Sequence, residues 1–255
     1  MNPNKLCDTH FHLTLSDDID NILKRAKENE VENLIMSACD LKSIEEGIKI
    51  IEKYPNIYLT IGLHPDSVDD YNPDTISYLE NLIKENDKII GIGEIGLDYY
   101  HNKENKENQK RLFIDQLSLA KKLHLPVVIH SRDAFQDTYN ILKEYNLKTT
   151  IHCFTGSLES ALLYIKEGYL LGIGGVSTFK NTHLLETLKS IPLENIVFET
   201  DSPYLSPIPF RGEKNEPKNI SIICDNLCSI KNMSREEVIK MTTLNVIKQY
   251  NIKEY

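Results

Sequence analysis

Short apolar runs alternate along the chain with longer stretches whose apolar residues recur every three or four positions. The runs cover 6–12, 31–38, 57–63, 88–93, 126–130, 149–153, 169–174 and 195–200, each about as long as an ordinary strand. The longer stretches, 17–29, 41–53, 73–86, 106–123, 133–145, 157–167 and 181–190, read as amphipathic helices. In 106–123, Leu112, Gln116, Leu119 and Leu123 fall near one face. Positions from about 216 to 250 predict two further helices, and Ser234 with Glu237 forms a capping box for the last. Regular strand–helix alternation predicts a parallel sheet. Eight such units in 255 residues predict an α/β fold, a single (β/α)8 barrel with an extra C-terminal helix, spanning 1–255 as one domain. No repeat, low-complexity segment or linker interrupts it, and Pro203, Pro207 and Pro209 predict a long loop after the eighth strand.

In a barrel, chemistry sits at the C-terminal ends of the strands. Those ends read Asp8-Thr9-His10-Phe11-His12, Gly62-Leu63-His64-Pro65, Gly93-Glu94-Ile95-Gly96-Leu97-Asp98, Ile129-His130-Ser131-Arg132, Ile151-His152-Cys153-Phe154 and Phe198-Glu199-Thr200-Asp201-Ser202-Pro203. Five of the eight histidines thus end an apolar run, in register with a Glu and an Asp. A lone buried histidine is usually a hydrogen-bonded core residue, but burying so many titratable groups without a shared partner is costly. A metal centre supplies that partner. His10 and His12 are two apart and face the same way on a strand, and Asp201 and Glu94 add hard oxygen donors. The expected arrangement is His10, His12, Glu94 and Asp201 on one cation, and Glu94, His130 and His152 on a second, with Glu94 bridging.

Other motifs carry less. Gly91-Ile92-Gly93-Glu94-Ile95-Gly96 matches G-x-G-x-x-G, but a dinucleotide site should open a helix directly, and a polar stretch follows here instead. The glycines are expected to allow close packing and a tight strand exit. Cys153 and His152 are neighbours on a strand and face opposite ways, which argues against a Cys–His dyad. The five cysteines are scattered, Cys224 and Cys228 read as core or surface thiols, and the absence of a leader or a membrane-length apolar run predicts a cytoplasmic protein. Lys and Arg number 29 against 38 Asp and Glu, a net charge of −9. That disfavours a duplex-gripping basic surface without excluding a nucleic-acid substrate, since two divalent cations would shift −9 to −5 and make the site rim locally positive.

Together these residues resemble the TatD family of metal-dependent hydrolases, within the amidohydrolase-like barrels. The matching pieces, in order, are Asp8 to Leu13, Gly62 to Pro65, Gly93 to Tyr99, His130 to Ala134, His152 to Gly156 and Glu199 to Tyr204. Arg211-Gly212, Asn215-Glu216-Pro217 and Thr242-Thr243-Leu244-Asn245 complete the set, and Thr14 and Tyr250 depart from the common pattern. The resemblance implies two divalent cations (magnesium, manganese or zinc) and hydrolysis of DNA phosphodiester bonds, often from the 3′ end, with DNA repair as context. The expected substrate is single-stranded or frayed DNA ends, handled by a monomer without membrane or obligate protein partner.

On that reading Asp201 is the general base and Glu94 the bridging carboxylate. His64 contacts a non-bridging phosphate oxygen or the leaving group. Glu199 shares the inward face with Asp201 by its spacing and orients a ligand or water. Arg132 and Arg211 clamp phosphates. Tyr99, Tyr100, Phe154 and Tyr204 ring the site and offer stacking surfaces for unpaired bases. The competing readings are a small-molecule amidohydrolase, a D-aminoacyl-tRNA deacylase, and a non-enzymatic scaffold barrel, which predicts at least one lost ligand.

Overall fold

The computed structural model describes residues 1–72, 74–180 and 183–253. The helical expectation at 73, 181 and 182 lies outside the described residues. The strands are β1 Leu6–Phe11, β2 Val31–Ala38, β3 Ile57–Ile61, β4 Ile89–Asp98, β5 Val127–Arg132, β6 Thr149–Ile151, β7 Leu170–Ile173 and β8 Ile196–Phe198. They form one sheet in the order β1 to β8, and β1 touches β8. The helices are α1 Ile19–Glu28, α2 Leu41–Lys53, α3 Thr75–Glu85, α4 Lys106–Leu123, α5 Phe135–Leu142, α6 Leu158–Lys166, α7 Leu184–Ser190, α8 Ile220–Lys231 and α9 Arg235–Tyr250. The fold is the expected (β/α)8 TIM barrel with an extra C-terminal helix. Among the described residues no helix is long and apolar enough to cross a membrane.

Several strand ends differ from expectation, with β3 stopping at Ile61, β5 running on to Arg132, and β4, β6 and β8 departing as follows. β4 runs on to Asp98, because Gly96, Leu97 and Asp98 keep pairing with His130, Ser131 and Arg132 of β5. The pairing requires glycine at 96, whose φ is +147° and whose added Cβ would lie 2.0 Å from the His130 carbonyl oxygen. The glycine-rich stretch is therefore continuing strand rather than a tight exit, and no helix opens at it, as a dinucleotide fingerprint would demand. β6 and β8 are only three residues each. Their chains leave the extended region just beyond, with Cys153 at φ 46° and Asp201 at φ 55°.

Contacts group the described residues into two compact units. The first comprises Met1–Met36 and Cys153–Tyr255. Leu6, Phe11, Ile173, Phe198, Leu227 and Val246 are buried there, each aromatic or aliphatic side chain contributing roughly 1.5–3 kcal/mol. α9 closes it: Asn245 donates to the carbonyls of Leu193 (2.9 Å) and Ile196 (2.8 Å), and Thr243 donates to Lys5 O at 2.8 Å. Ser234 and Glu237 make the expected capping box at its start.

The second unit is Ser37–His152. Ile44, Ile50, Ile57, Leu59, Ile92, Phe113, Val127 and Ile129 form its buried interior. α2 opens on a capping box of Asp40 and Ser43. α4 buries Leu112, Gln116 and Leu119 as its periodicity predicts, with Leu123 half-buried. Gln116 takes the Leu63 N–H at 2.7 Å and donates to Leu63 O at 3.0 Å. One face-repeat earlier, Gln109 takes the Asp98 N–H at 2.9 Å and donates to Asp98 O at 3.0 Å. Two buried amides on one helix therefore fasten the chain at the exits of β3 and β4.

Candidate metal centre

In the first unit the ends of β1 and β8 are laced together. The Asp201 N–H donates to His10 O at 2.9 Å, the His12 N–H to Ser202 O at 2.8 Å, and the Thr9 hydroxyl to Phe198 O at 2.9 Å. Asp8 is fully buried and accepts the Thr200 N–H (3.0 Å) and hydroxyl (2.6 Å). Burial pushes its pKa above the usual carboxylate range, although the Thr200 hydrogen bonds oppose the shift. This lacing turns both imidazoles toward one carboxylate oxygen: Asp201 Oδ1 lies 3.9 Å from His10 Nε2 and 3.5 Å from His12 Nε2. Asn215 braces the following loop, donating to Thr200 O (2.9 Å) and Tyr204 O (2.6 Å).

Strand alternation does not set Glu199 relative to Asp201, because β8 ends at Phe198 and Asp201 is left-handed. Glu199 is instead fully buried, and its Oε1 accepts the Cys153 N–H at 2.6 Å. Its carboxylate occupies the space above Gly172, where an added Cβ would meet Glu199 Oε2 at 2.1 Å.

In the second unit, three imidazoles converge on Glu94 Oε1. His130 Nδ1 is at 2.8 Å, His64 Nε2 at 3.7 Å and His152 Nε2 at 3.8 Å. Donor atoms of His64, Glu94 and His130 all lie within 4.8 Å of one another. The far nitrogen of His130 meets Asp98 Oδ2 at 3.1 Å, and His101 Nδ1 meets the same oxygen at 2.9 Å. Burial disfavours the charged His130 ring, but hydrogen bonds with Asp98 and Glu94 outweigh it and the pKa is pushed up to about 9. Burial would raise Asp98, yet hydrogen bonds from His130 and His101 hold it well below the usual carboxylate range. His64 goes the other way: burial lowers it, only partly countered by Glu94. Its Nδ1 accepts the Asp66 N–H at 3.1 Å, which leaves the Nε2 proton of the neutral ring directed at Glu94.

The residues expected at the rim fall into two groups. Arg132 is exposed and stacks over the Tyr100 ring at 4.2 Å, and Tyr100 is itself exposed. Tyr204 is 63% exposed, with its ring centroid 6.4 Å from that of His12. Arg211 is exposed and lies over the Phe179 ring at 4.4 Å. Tyr99 and Phe154 are buried. Tyr99 donates to Asp137 at 2.7 Å beneath Lys106, and Phe154 packs edge-on against Tyr164. Sequence reasoning missed Asp98, Gln109, Gln116 and Asn215. Asp98 was signalled by its place four residues past Glu94 on one strand, and the glutamines by polar residues seven apart on a buried helix face.

The donor sets fit divalent cations. Atoms sharing a tetrahedral ion at about 2.0–2.2 Å lie about 3.3–3.6 Å from one another. Among the expected ligands, the His–carboxylate separations of 3.5, 3.8 and 3.9 Å are close to that edge, while His130 Nδ1 and Glu94 Oε1 are hydrogen-bonded at 2.8 Å. Imidazole with carboxylate suits zinc and manganese, and carboxylate oxygen suits magnesium. Asp98 on the outer nitrogen of His130 is the carboxylate–histidine pairing that orients a metal-binding imidazole.

Comparison with known proteins agrees with this chemistry. The family model described as TatD related DNase matches residues 7–251. The chain is 37% identical over 254 residues to the uncharacterized metal-dependent hydrolase YabD of Bacillus subtilis, covering 97% of this chain and 99% of that one. The crystal structure of YjjV, a TatD homolog from Escherichia coli, superposes with a TM-score of 0.93 at 28% identity, covering 98% of this chain and 100% of that one. A TatD family hydrolase from Entamoeba histolytica superposes with a TM-score of 0.86 at 28% identity, over 98% of this chain and 99% of that one.

Proposed function

The chain belongs to the TatD family of metal-dependent hydrolases, and from that premise we propose that it is a deoxyribonuclease that removes nucleotides from single-stranded or frayed DNA 3′ ends. The observation that carries the reading is the convergence of three imidazoles on Glu94 Oε1. A buried carboxylate so surrounded is a cation site, and the family whose model matches is described as a DNase. We assign two divalent ions, with His10, His12 and Asp201 among the ligands of one and His130 and His152 among those of the other. Glu94 would be a ligand of the second, an assignment that rests on each residue's place at a strand's C-terminal end. Divalent cations there supply charge neutralisation on the phosphate and a nucleophilic water at neutral pH.

The chain's own groups do the rest. Asp201 Oδ1 takes the proton of the attacking water. His64 holds its proton on Nε2, fixed there by the Asp66 N–H on the other nitrogen, and donates it to a phosphate oxygen or the departing 3′ oxygen. Asp98 and Glu199 keep neighbouring groups in place, Asp98 through His130 and Glu199 through the Cys153 peptide. The enzyme acts as a cytoplasmic monomer. The test is metal reconstitution followed by assays on 3′- and 5′-labelled single-stranded and duplex DNA, with D-aminoacyl-tRNA alongside. The expected result is metal-dependent loss of nucleotides from 3′ ends, lowered by orders of magnitude in Asp201→Asn. Cleavage of the tRNA ester with none of DNA would overturn it.

A further inference from the structure

We propose that the first unit carries a separate phosphodiester-binding subsite, which grips the backbone of a single strand away from the bond being cut. The proposal deepens the nuclease reading and rests on it for the identity of the strand. A cavity of about 560 Å³ is lined by Thr155, Phe179, Lys180, His183, Ile208 and Arg211 among others. That volume suits a nucleotide-sized ligand. Thr155 follows β6, Phe179 and Lys180 follow β7, and Ile208 and Arg211 follow β8. The cavity thus opens at the same strand ends that carry Asp201, the face where barrel enzymes bind their substrates.

Charge singles this cavity out. No Asp or Glu is among the described residues that line it, although the chain has a net charge of −9. Elsewhere in the unit, several cations have carboxylate partners: exposed Lys214 with Asp17, and half-buried Arg25 with Glu216 and Arg235 with Glu30. Two permanent cations and a histidine around one carboxylate-free hollow form an anion site. The site is also built. The Ile208 N–H donates to Thr178 Oγ1 at 2.9 Å, and that hydroxyl donates to Gly175 O at 2.7 Å, tying two of the walls. Asn226 donates to Ser177 O at 3.1 Å behind them. Arg211 holds its guanidinium carbon over the Phe179 ring at 4.4 Å, and a guanidinium so supported can offer its N–H fork to phosphate oxygens.

The test uses full-length protein in EDTA, so that binding is read without turnover. The probe is a fluorescein-labelled single-stranded oligothymidylate of about 12 nucleotides, followed by anisotropy across a salt series. Lys180→Gln with Arg211→Gln is expected to raise Kd about tenfold or more and to flatten the log Kd against log salt slope by roughly 1.4, about 0.7 for each lost phosphate contact. Arg211→Lys, which keeps the charge but loses the fork, should fall between. Wild-type circular dichroism and Tm in the double variant establish that it is folded. An unchanged Kd and slope in that folded variant, no binding by the wild type, or displacement of the probe by equimolar inorganic phosphate would overturn the subsite. If the wild type holds the strand through these residues yet degrades no DNA, the subsite stands and the nuclease reading falls.

Discussion

Gln116→Met keeps the length of a buried side chain and removes the two amide atoms that hold the Leu63 peptide. In the native protein that peptide donates to Gln116 Oε1 at 2.7 Å and accepts from Gln116 Nε2 at 3.0 Å, and both residues are fully buried. Methionine fills the space but leaves an N–H and a C=O with neither amide nor water. Each such orphan costs about 1–3 kcal/mol, so the expected loss is roughly 2–6 kcal/mol. A chain of this size loses about 2 °C of Tm per kcal/mol, which gives a drop of about 4–12 °C. His64 is the next residue, and its N–H bonds to Cys39 O at 2.9 Å, so loosening Leu63 also loosens the imidazole. Thermal melts of metal-free wild type and variant read the first effect; kcat on a small phosphodiester reads the second. A Tm within about 2 °C of wild type would refute the claim that this amide fastens the strand exit.

Three further outcomes follow from the geometry. His64→Ala should retain the wild-type metal content while kcat falls about a hundredfold; loss of an ion by elemental analysis would make His64 a ligand instead. Gly172→Ala puts a Cβ 2.1 Å from Glu199 Oε2, displacing the carboxylate that holds the Cys153 N–H beside His152, and should weaken metal affinity about 10–100-fold in a competition titration with a chelator. Unchanged affinity there would separate Glu199 from the metal centre. Ser234→Ala removes one half of the α9 capping box and should cost about 0.5–2 kcal/mol in urea denaturation without altering metal content.

Much of the architecture was written in period and punctuation. α2 and α4 begin and end where their apolar spacing stops, because a cap or a polar turn lies at each boundary. Strand ends were harder, since hydrophobicity reports burial and not backbone direction. The apolar run and β8 both end at Phe198, yet the polar Glu199 and Thr200 that follow are just as buried and Asp201 turns left-handed. The clustering of histidines with Glu94 and Asp201 was legible because four strand ends carried histidines and two more carried carboxylates. Asp98 carried a weaker signal: it stands four residues past Glu94 on one strand, but only the approach of β5 puts His130 against it. The two glutamines of α4 read as amphipathic-face residues for the same reason, since their partners are backbone groups that no side-chain pattern marks. Tyr99 and Phe154 show the converse, as proximity in sequence to a strand end did not place their rings in the open.

The lacing of β1 to β8 also sets a schedule for biosynthesis. Asp8 and Thr200 are 192 residues apart in the chain, and His10 and His12 meet Asp201 across nearly the same span. At about 5–20 residues per second, a ribosome needs roughly 10–40 s to make that stretch. The second unit's cluster draws on a continuous segment from Ser37 to His152 and is available to fold first. Until β8 has emerged, the Asp201 carboxylate that faces the histidine pair of β1 has not been made. The β1–β8 half of the candidate metal centre is therefore assembled as a late event of translation.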